Sequence, residues 1–167
     1  MLSSVEKYSK IHRLEDFTIR WPIGVGGFST VVEVWKNSSG KIYAMKMIKK
    51  EMIEKKDKVK QIMMERRILE IVKFPNTIKL HWAFKSKDYL HMVLDFCPGG
   101  ELFYHLVKFG KFSEWIAWFY FCEVLLALEY LHEKNIVYWD LKPENILLDL
   151  EGHVVLTDFG LSKDNFK

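Results

Sequence analysis

In the run YWDLKPEN, residues 138–145, an aspartate, a lysine and an asparagine stand close together at 140, 142 and 145. One short loop thus holds a proton acceptor, a cation for developing negative charge and an amide oxygen. Pro143 prevents that loop from continuing as regular helix. Further along, TDFG places Asp158 at the end of a strand-like run, and Gly160 permits a sharp change of direction. Asn145 and Asp158 are hard oxygen ligands of the kind magnesium takes, few from protein and the rest from substrate phosphate. Singly, each residue could be surface decoration; their joint order could not arise by chance.

A second group lies nearer the N-terminus. In IGVGGFSTV, residues 23–31, glycines at 24, 26 and 27 let backbone N–H groups approach an anion. The run is no dinucleotide fingerprint, because Ser29 stands at the third glycine position and TVVEV continues as strand rather than helix. No Gly-Lys-Ser/Thr closes a Walker motif either. A hairpin loop over phosphates and a plain tight turn both fit. Lys46 ends the apolar strand YAMK, where a lysine is ordinarily an exposed edge charge. However, Ile62, Glu65, Leu69 and Val72 recur at helical spacing, so Glu65 lies within an apolar stripe. A buried carboxylate calls for a cation, and Lys46 is the candidate.

The elements that must position these groups follow from pattern. DFTIRWPIG, STVVEVW and KIYAMKMI read as strands, with NSSG as a turn. A helix is expected over about 58–73, then a strand at HMVLDF, a break at CPGG and a short helix around 101–107. Ser113 can cap a long helix with Glu114 in its first turn. NILLDL and HVVLTD are short strands joined at Glu151-Gly152. Strands with one helix, followed mostly by helix, imply two parts that meet near CPGG.

Bulk composition agrees with a folded chain: 167 residues, 49% hydrophobic and 28% charged. Cys97 and Cys122 form neither a ligand pair nor a disulfide framework, which points to the reducing cytosol. The opening MLSSVEKYSK lacks the apolar core of a signal peptide. Residues 115–131 are apolar but short of the ~20 that a membrane span needs, and Glu123 and Glu129 would each cost about 3 kcal/mol there. Residues 41–67 carry ten Lys or Arg against four acids. A solvated helix surface is the expectation for that stretch; no aromatic platform accompanies it, so no nucleic-acid partner is expected.

Taken together, IGVGGFSTV, YAMK, DLKPEN and DFG resemble a eukaryotic protein kinase domain, from about Phe17 to Lys167. DLKPEN resembles the serine/threonine form. IKLHWAF, LDFCPGGELFYHL and YLHEKNIVYWDLKPENILLD resemble the AGC group, relatives of the cyclic-nucleotide-dependent and ribosomal S6 kinases. The resemblance implies an α+β fold: an N-terminal extension (1–16), a small β-rich lobe with one regulatory helix (17–97), and the first part of a mainly helical lobe (98–167). It implies ATP and Mg2+ as cofactors. Ile23, Gly24, Val25, Gly26, Gly27, Phe28, Ser29, Thr30 and Val31 would cover the nucleotide, and Lys46, paired with Glu65, would hold its α- and β-phosphates. Ile23, Val31, Ala44 and Leu147 would line the adenine slot, with Leu94 as gatekeeper. Asp95 and Cys97 would read the adenine edge and Glu101 the ribose, and Thr157, just before the metal aspartate, would also belong to the nucleotide site. Asp140 would accept or orient the substrate hydroxyl's proton, Lys142 would steady the transferred phosphoryl group, and Asn145 and Asp158 would hold metal. A protein substrate with basic residues near its Ser or Thr is implied, attracted by Glu101 and Glu144.

Three departures stand out. Ser29 replaces the third loop glycine, a mild change. Trp139 replaces the arginine beside the catalytic aspartate, which in the family meets an activation-loop phosphate. Only seven residues follow Gly160, so the resemblance covers roughly the N-terminal two-thirds of such a domain, without the APE anchor or the peptide shelf. The helix around 115–131, apolar nearly all round, is therefore expected to lack cover. The two competing functions are phosphotransfer and a pseudokinase-like scaffold that binds nucleotide without transferring phosphate.

Overall fold

The computed structural model describes residues 12–27, 29–55 and 58–164. They form two compact units, Met1–Asp57 with Leu80–Asp95, and Lys58–Lys79 with Phe96–Lys167. Both belong to the α+β class expected from the sequence.

The first unit is a five-stranded antiparallel sheet. Its strands are β1 (Phe17–Val25), β2 (Ser29–Lys36), β3 (Ile42–Lys49), β4 (Leu80–Lys85) and β5 (Tyr89–Leu94), in the order β1-β2-β3-β5-β4. Gly40, at φ 65°, makes the NSSG turn between β2 and β3. Alternation sends Val32, Val34, Met45 and Val93 to one face, where they pack with Phe17 under Trp82 and Phe84. A short helix α1 (Lys50–Lys55) follows β3, in a stretch to which the sequence reading assigned no element. Six residues are too few for helical periodicity to show. Its first residue is tied down by tertiary contacts, with the Lys50 ammonium donating to the Ser86 carbonyl at 2.6 Å and to that of Lys87 at 3.0 Å.

The second unit holds α2 (Val59–Ile71), β6 (Gly100–Glu101), α3 (Leu102–Phe109), α4 (Glu114–Glu133), β7 (Ile136–Val137), β8 (Ile146–Leu148), β9 (Val154–Leu156) and β10 (Lys163–Asp164). Strands β6, β8 and β9 make one small sheet, and β7 and β10 another. Ser113 caps α4 as expected, accepting from the Ile116 N–H. Of the α4 side chains only Ala127 and Leu131 are fully buried, while Trp115, Trp118, Phe121 and Leu125 are exposed. Among the described residues, no helix is long and apolar enough to cross a membrane. Glu123 fastens α4 to β9 instead, accepting from the Val154 N–H at 2.7 Å and meeting His153 Nδ1 at 2.6 Å.

Two histidines give the units opposite responses to pH. The Glu123 carboxylate raises the His153 pKa above its ordinary 6.5. The protonated form is therefore favoured in the fold, and its contribution is lost as pH rises through the raised value. His91 is buried against Phe84, with Nε2 at 2.9 Å from the Ser86 hydroxyl and Nδ1 unpartnered. Burial, and then the Lys50 charge, lower its pKa below 6.5. The unfolded chain takes up the proton first, so stability falls as pH drops below about 6.5. Melting temperature across pH 5–9 should therefore decline on both sides, and His153→Gln should flatten only the alkaline side.

Candidate active site

Four of the nucleotide residues expected in the first unit share one sheet face. Val31 lies directly opposite Lys46, Lys46 opposite Met92, and Ala44 opposite Leu94. Residues directly opposite in an antiparallel ladder project to the same side. Val31, Ala44, Lys46 and Leu94 therefore line the face opposite the Val32–Met45–Val93 core. The glycine hairpin closes the end of this face, with the Gly26 N–H donating to the Ser29 carbonyl at 2.8 Å. Phe28 lies outside the described residues.

The hairpin's own packing does not require its glycines. A Cβ on Gly27 would meet nothing within 4 Å, and one on Gly24 only ordinary contact with Val31. A cavity of about 370 Å³ does adjoin the loop, but on the other face, among Met47, Lys49, Met52 and Tyr89. Of the expected nucleotide residues it borders only Gly26, Gly27, Ser29 and Thr30.

The second unit brings its expected residues together more tightly. The Lys142 ammonium lies 2.9 Å from Asp140 Oδ2, and Asn145 Nδ2 donates to the same oxygen at 2.8 Å and to the Asp140 carbonyl at 2.9 Å. The Lys142 hydrogen bond holds the Asp140 carboxyl below its ordinary range; burial opposes it, and the Asn145 hydrogen bond and the Lys142 charge add to the lowering. The same pair raises the Lys142 pKa. The Asn145 amino group is thereby committed to Asp140. A tight turn formed by residues 143–145 sets this geometry, with Pro143 at its start.

Asp158 follows β9 in a left-handed conformation, φ 54°, unusual for a residue other than glycine. Its carboxylate accepts from the Gly160 N–H at 3.2 Å. Phe159 beside it is buried, edge-on to Tyr138 with ring centroids 5.3 Å apart. Burial, and then the charges of Asp158 and Asp140, push the Tyr138 hydroxyl pKa strongly upward. Both carboxylates therefore act on one neighbourhood. Among the described residues no group of three or more His, Cys, Asp and Glu is placed to hold a metal. A donor set of one amide oxygen and one carboxylate suits a cation that takes its other ligands from phosphate and water.

Leu147 pairs with Glu101 across β6 and β8, which puts an adenine-slot candidate beside the ribose candidate. Cys97 is buried and Thr157 half-buried. Glu65 is buried on α2 together with Ile62 and Leu69, and Val72 just past the helix end is buried too, as the apolar stripe implied. Trp139 does not crowd Asp140; its indole points to solvent, 64% exposed, with the Lys163 ammonium 5.4 Å from the ring centroid.

Three residues not singled out from sequence help to build the site. The Tyr138 hydroxyl donates to the Thr157 carbonyl. Gln61 Nε2 donates to the Gly160 carbonyl at 2.6 Å. It sits one helical turn before Glu65, which was the available signal. Gly99 is compulsory, since a Cβ there would come within 2.6 Å of Leu148 Cβ.

Comparison with known proteins covers nearly the whole chain. The family model for the protein kinase domain matches residues 17–166. Protein kinase 2 of Dictyostelium discoideum is 49% identical over 149 residues, 89% of this chain and 31% of its own length. Protein kinase 3 of the same organism is 49% identical over 150 residues, 90% of this chain and 16% of its own. The serine/threonine-protein kinase sgk-1 of Caenorhabditis elegans is 50% identical over 153 residues, 91% and 33% respectively. The chain thus spans about a third or less of the length of these relatives.

Proposed function

Because the chain belongs to the protein kinase domain family, we propose that it carries the nucleotide-binding and phosphoryl-transfer residues of an ATP-dependent serine/threonine kinase of AGC type. The observation that carries this reading is the Asp140–Lys142–Asn145 cluster. On this reading residues 17–97 form the small lobe and 98–167 the first part of the large one. The face bearing Val31, Ala44 and Leu94 takes the adenine, together with Leu147, and Glu101 takes the ribose. Lys46 is assigned to the α- and β-phosphates, and Glu65 is the carboxylate that the apolar stripe of α2 reserves for a cation. Asn145 and Asp158 are the residues that would hold Mg2+, which would supply positive charge to offset the negative charge developed in phosphoryl transfer.

Asp140 is ionised well below neutral pH, so its first task is to orient the substrate hydroxyl by accepting its hydrogen bond. Proton transfer follows as the hydroxyl becomes acidic along the reaction. Lys142 approaches the same carboxylate from the side and offers its charge to the moving phosphoryl group. Exposed Glu101 and Glu144 favour arginine-rich peptides on the rim.

MgATP should raise the melting temperature of the chain by several degrees, as expected when ligand is about a hundredfold above Kd. Lys46→Met should abolish that shift, and Asp158→Asn should remove its magnesium dependence. A shift of equal size in all three proteins would overturn the nucleotide assignment. Radiolabelled ATP with a basic peptide separates transfer from nucleotide binding alone.

A further inference from the structure

We propose that Trp139 is a positioning residue: the Lys163 ammonium on its indole face anchors residues 161–164, and through them the segment that begins at Asp158. The inference rests on the reading of Asp158 as a metal ligand only for its functional consequence; the anchor is a local property of the fold.

The segment is fastened by several side chains at its start and, at its end, by a short ladder and the neighbourhood of α2. Near the start, Phe159 is buried against Tyr138, and Gln61 holds the Gly160 carbonyl. Asp158 needs such support, because a left-handed aspartate persists only where its surroundings over-determine it. At the end, β10 pairs with β7 through just two residue pairs, Lys163 with Val137 and Asp164 with Ile136. So short a ladder is marginal by itself. Trp139 leaves β7 two residues after Val137 and meets Lys163 from the side, 5.4 Å from ammonium to ring centroid. A tryptophan face is the best aromatic partner for a cation. An indole exposed to 64% has little apolar burial to explain its placement, so the ammonium is its main partner. An arginine at 139 would instead set a second cation beside Lys163, and the contact would become repulsive unless an anion joined it.

Amide hydrogen exchange at residues 162–164 of the 167-residue chain tests the anchor. Trp139→Leu keeps apolar bulk but loses the π face, and Lys163→Met keeps the stem but loses the charge. Each should speed exchange about 2–5-fold, the range for an exposed cation–π contact, and Trp139→Tyr should retain most of the protection. The double variant Trp139→Leu/Lys163→Met should exchange no faster than either single one, because the two changes remove the same contact. Trp139→Arg should loosen the segment further, and added phosphate should restore protection in that variant alone. Unchanged exchange in both single variants, or strictly additive acceleration in the double, would overturn the proposal. The metal reading fails separately, through an Asp158→Asn protein whose response to magnesium is intact while the coupled exchange persists.

Discussion

Asp140→Asn is expected, on the phosphotransfer reading proposed above, to lower transfer from MgATP to a basic peptide by about 10²–10⁴-fold, the usual contribution of a positioned general base. The substitution keeps size and hydrogen-bonding shape, so Asn145 and Lys142 retain an acceptor. It removes the charge that Lys142 pairs with at 2.9 Å and the carboxylate to which the proton is assigned. Nucleotide binding should be nearly unaffected, because the proposal assigns Asp140 to the hydroxyl and not to the phosphates. Single-turnover assays that follow radiolabelled phosphate, paired with the MgATP thermal shift, read the two effects apart. Full transfer by the Asn variant would refute the assignment of Asp140. The pH profile supplies a second check. A carboxyl held below its ordinary 3.8 is ionised across the whole range in which the chain is assayed, so no acid limb near pH 4–5 should belong to it.

What sequence made legible was chemistry written over short distances. Asp140, Lys142 and Asn145 fall within one turn of loop, so their types and order almost dictate their meeting. The place of Glu65 was readable because a helix repeats, and its neighbours Ile62 and Leu69 report which side is buried. Strand alternation likewise put Ala44 and Lys46 on one side and Met45 on the other.

Contacts between residues remote in sequence were not legible. Gln61 and Gly160 are 99 residues apart, and nothing about a glutamine announces a carbonyl waiting for it. Gly99 read as part of a strand-breaking CPGG, whereas its necessity comes from Leu148 pressing on it from β8. Trp139 read only as a replacement for an arginine beside Asp140, whereas its neighbour Lys163 arrives only through the β7–β10 pairing. Side-chain direction in a loop has no period to read.

Phe159→Ala is expected to destabilise the second unit by about 3–5 kcal/mol, the cost of emptying a large aromatic site in a packed interior. Phe159 is only 1% exposed and lies edge-on to Tyr138, an arrangement worth about 0.5–1.5 kcal/mol beyond the area buried. Its neighbours cannot collapse easily into the space. Asp158 before it is fixed in the left-handed region, and Gly160 after it is held by Gln61. Denaturant unfolding monitored on the second unit measures the loss directly. Tyr138 offers an independent readout, because burial is the largest cause of its raised pKa; opening the cavity should lower its ionisation toward the ordinary value of 10.0. Phe159→Leu, which refills most of the volume, should cost roughly half as much or less. Equal losses in the two variants would place the stabilisation in the ring–ring contact rather than in filled volume, and the Tyr138 titration would then shift equally in both.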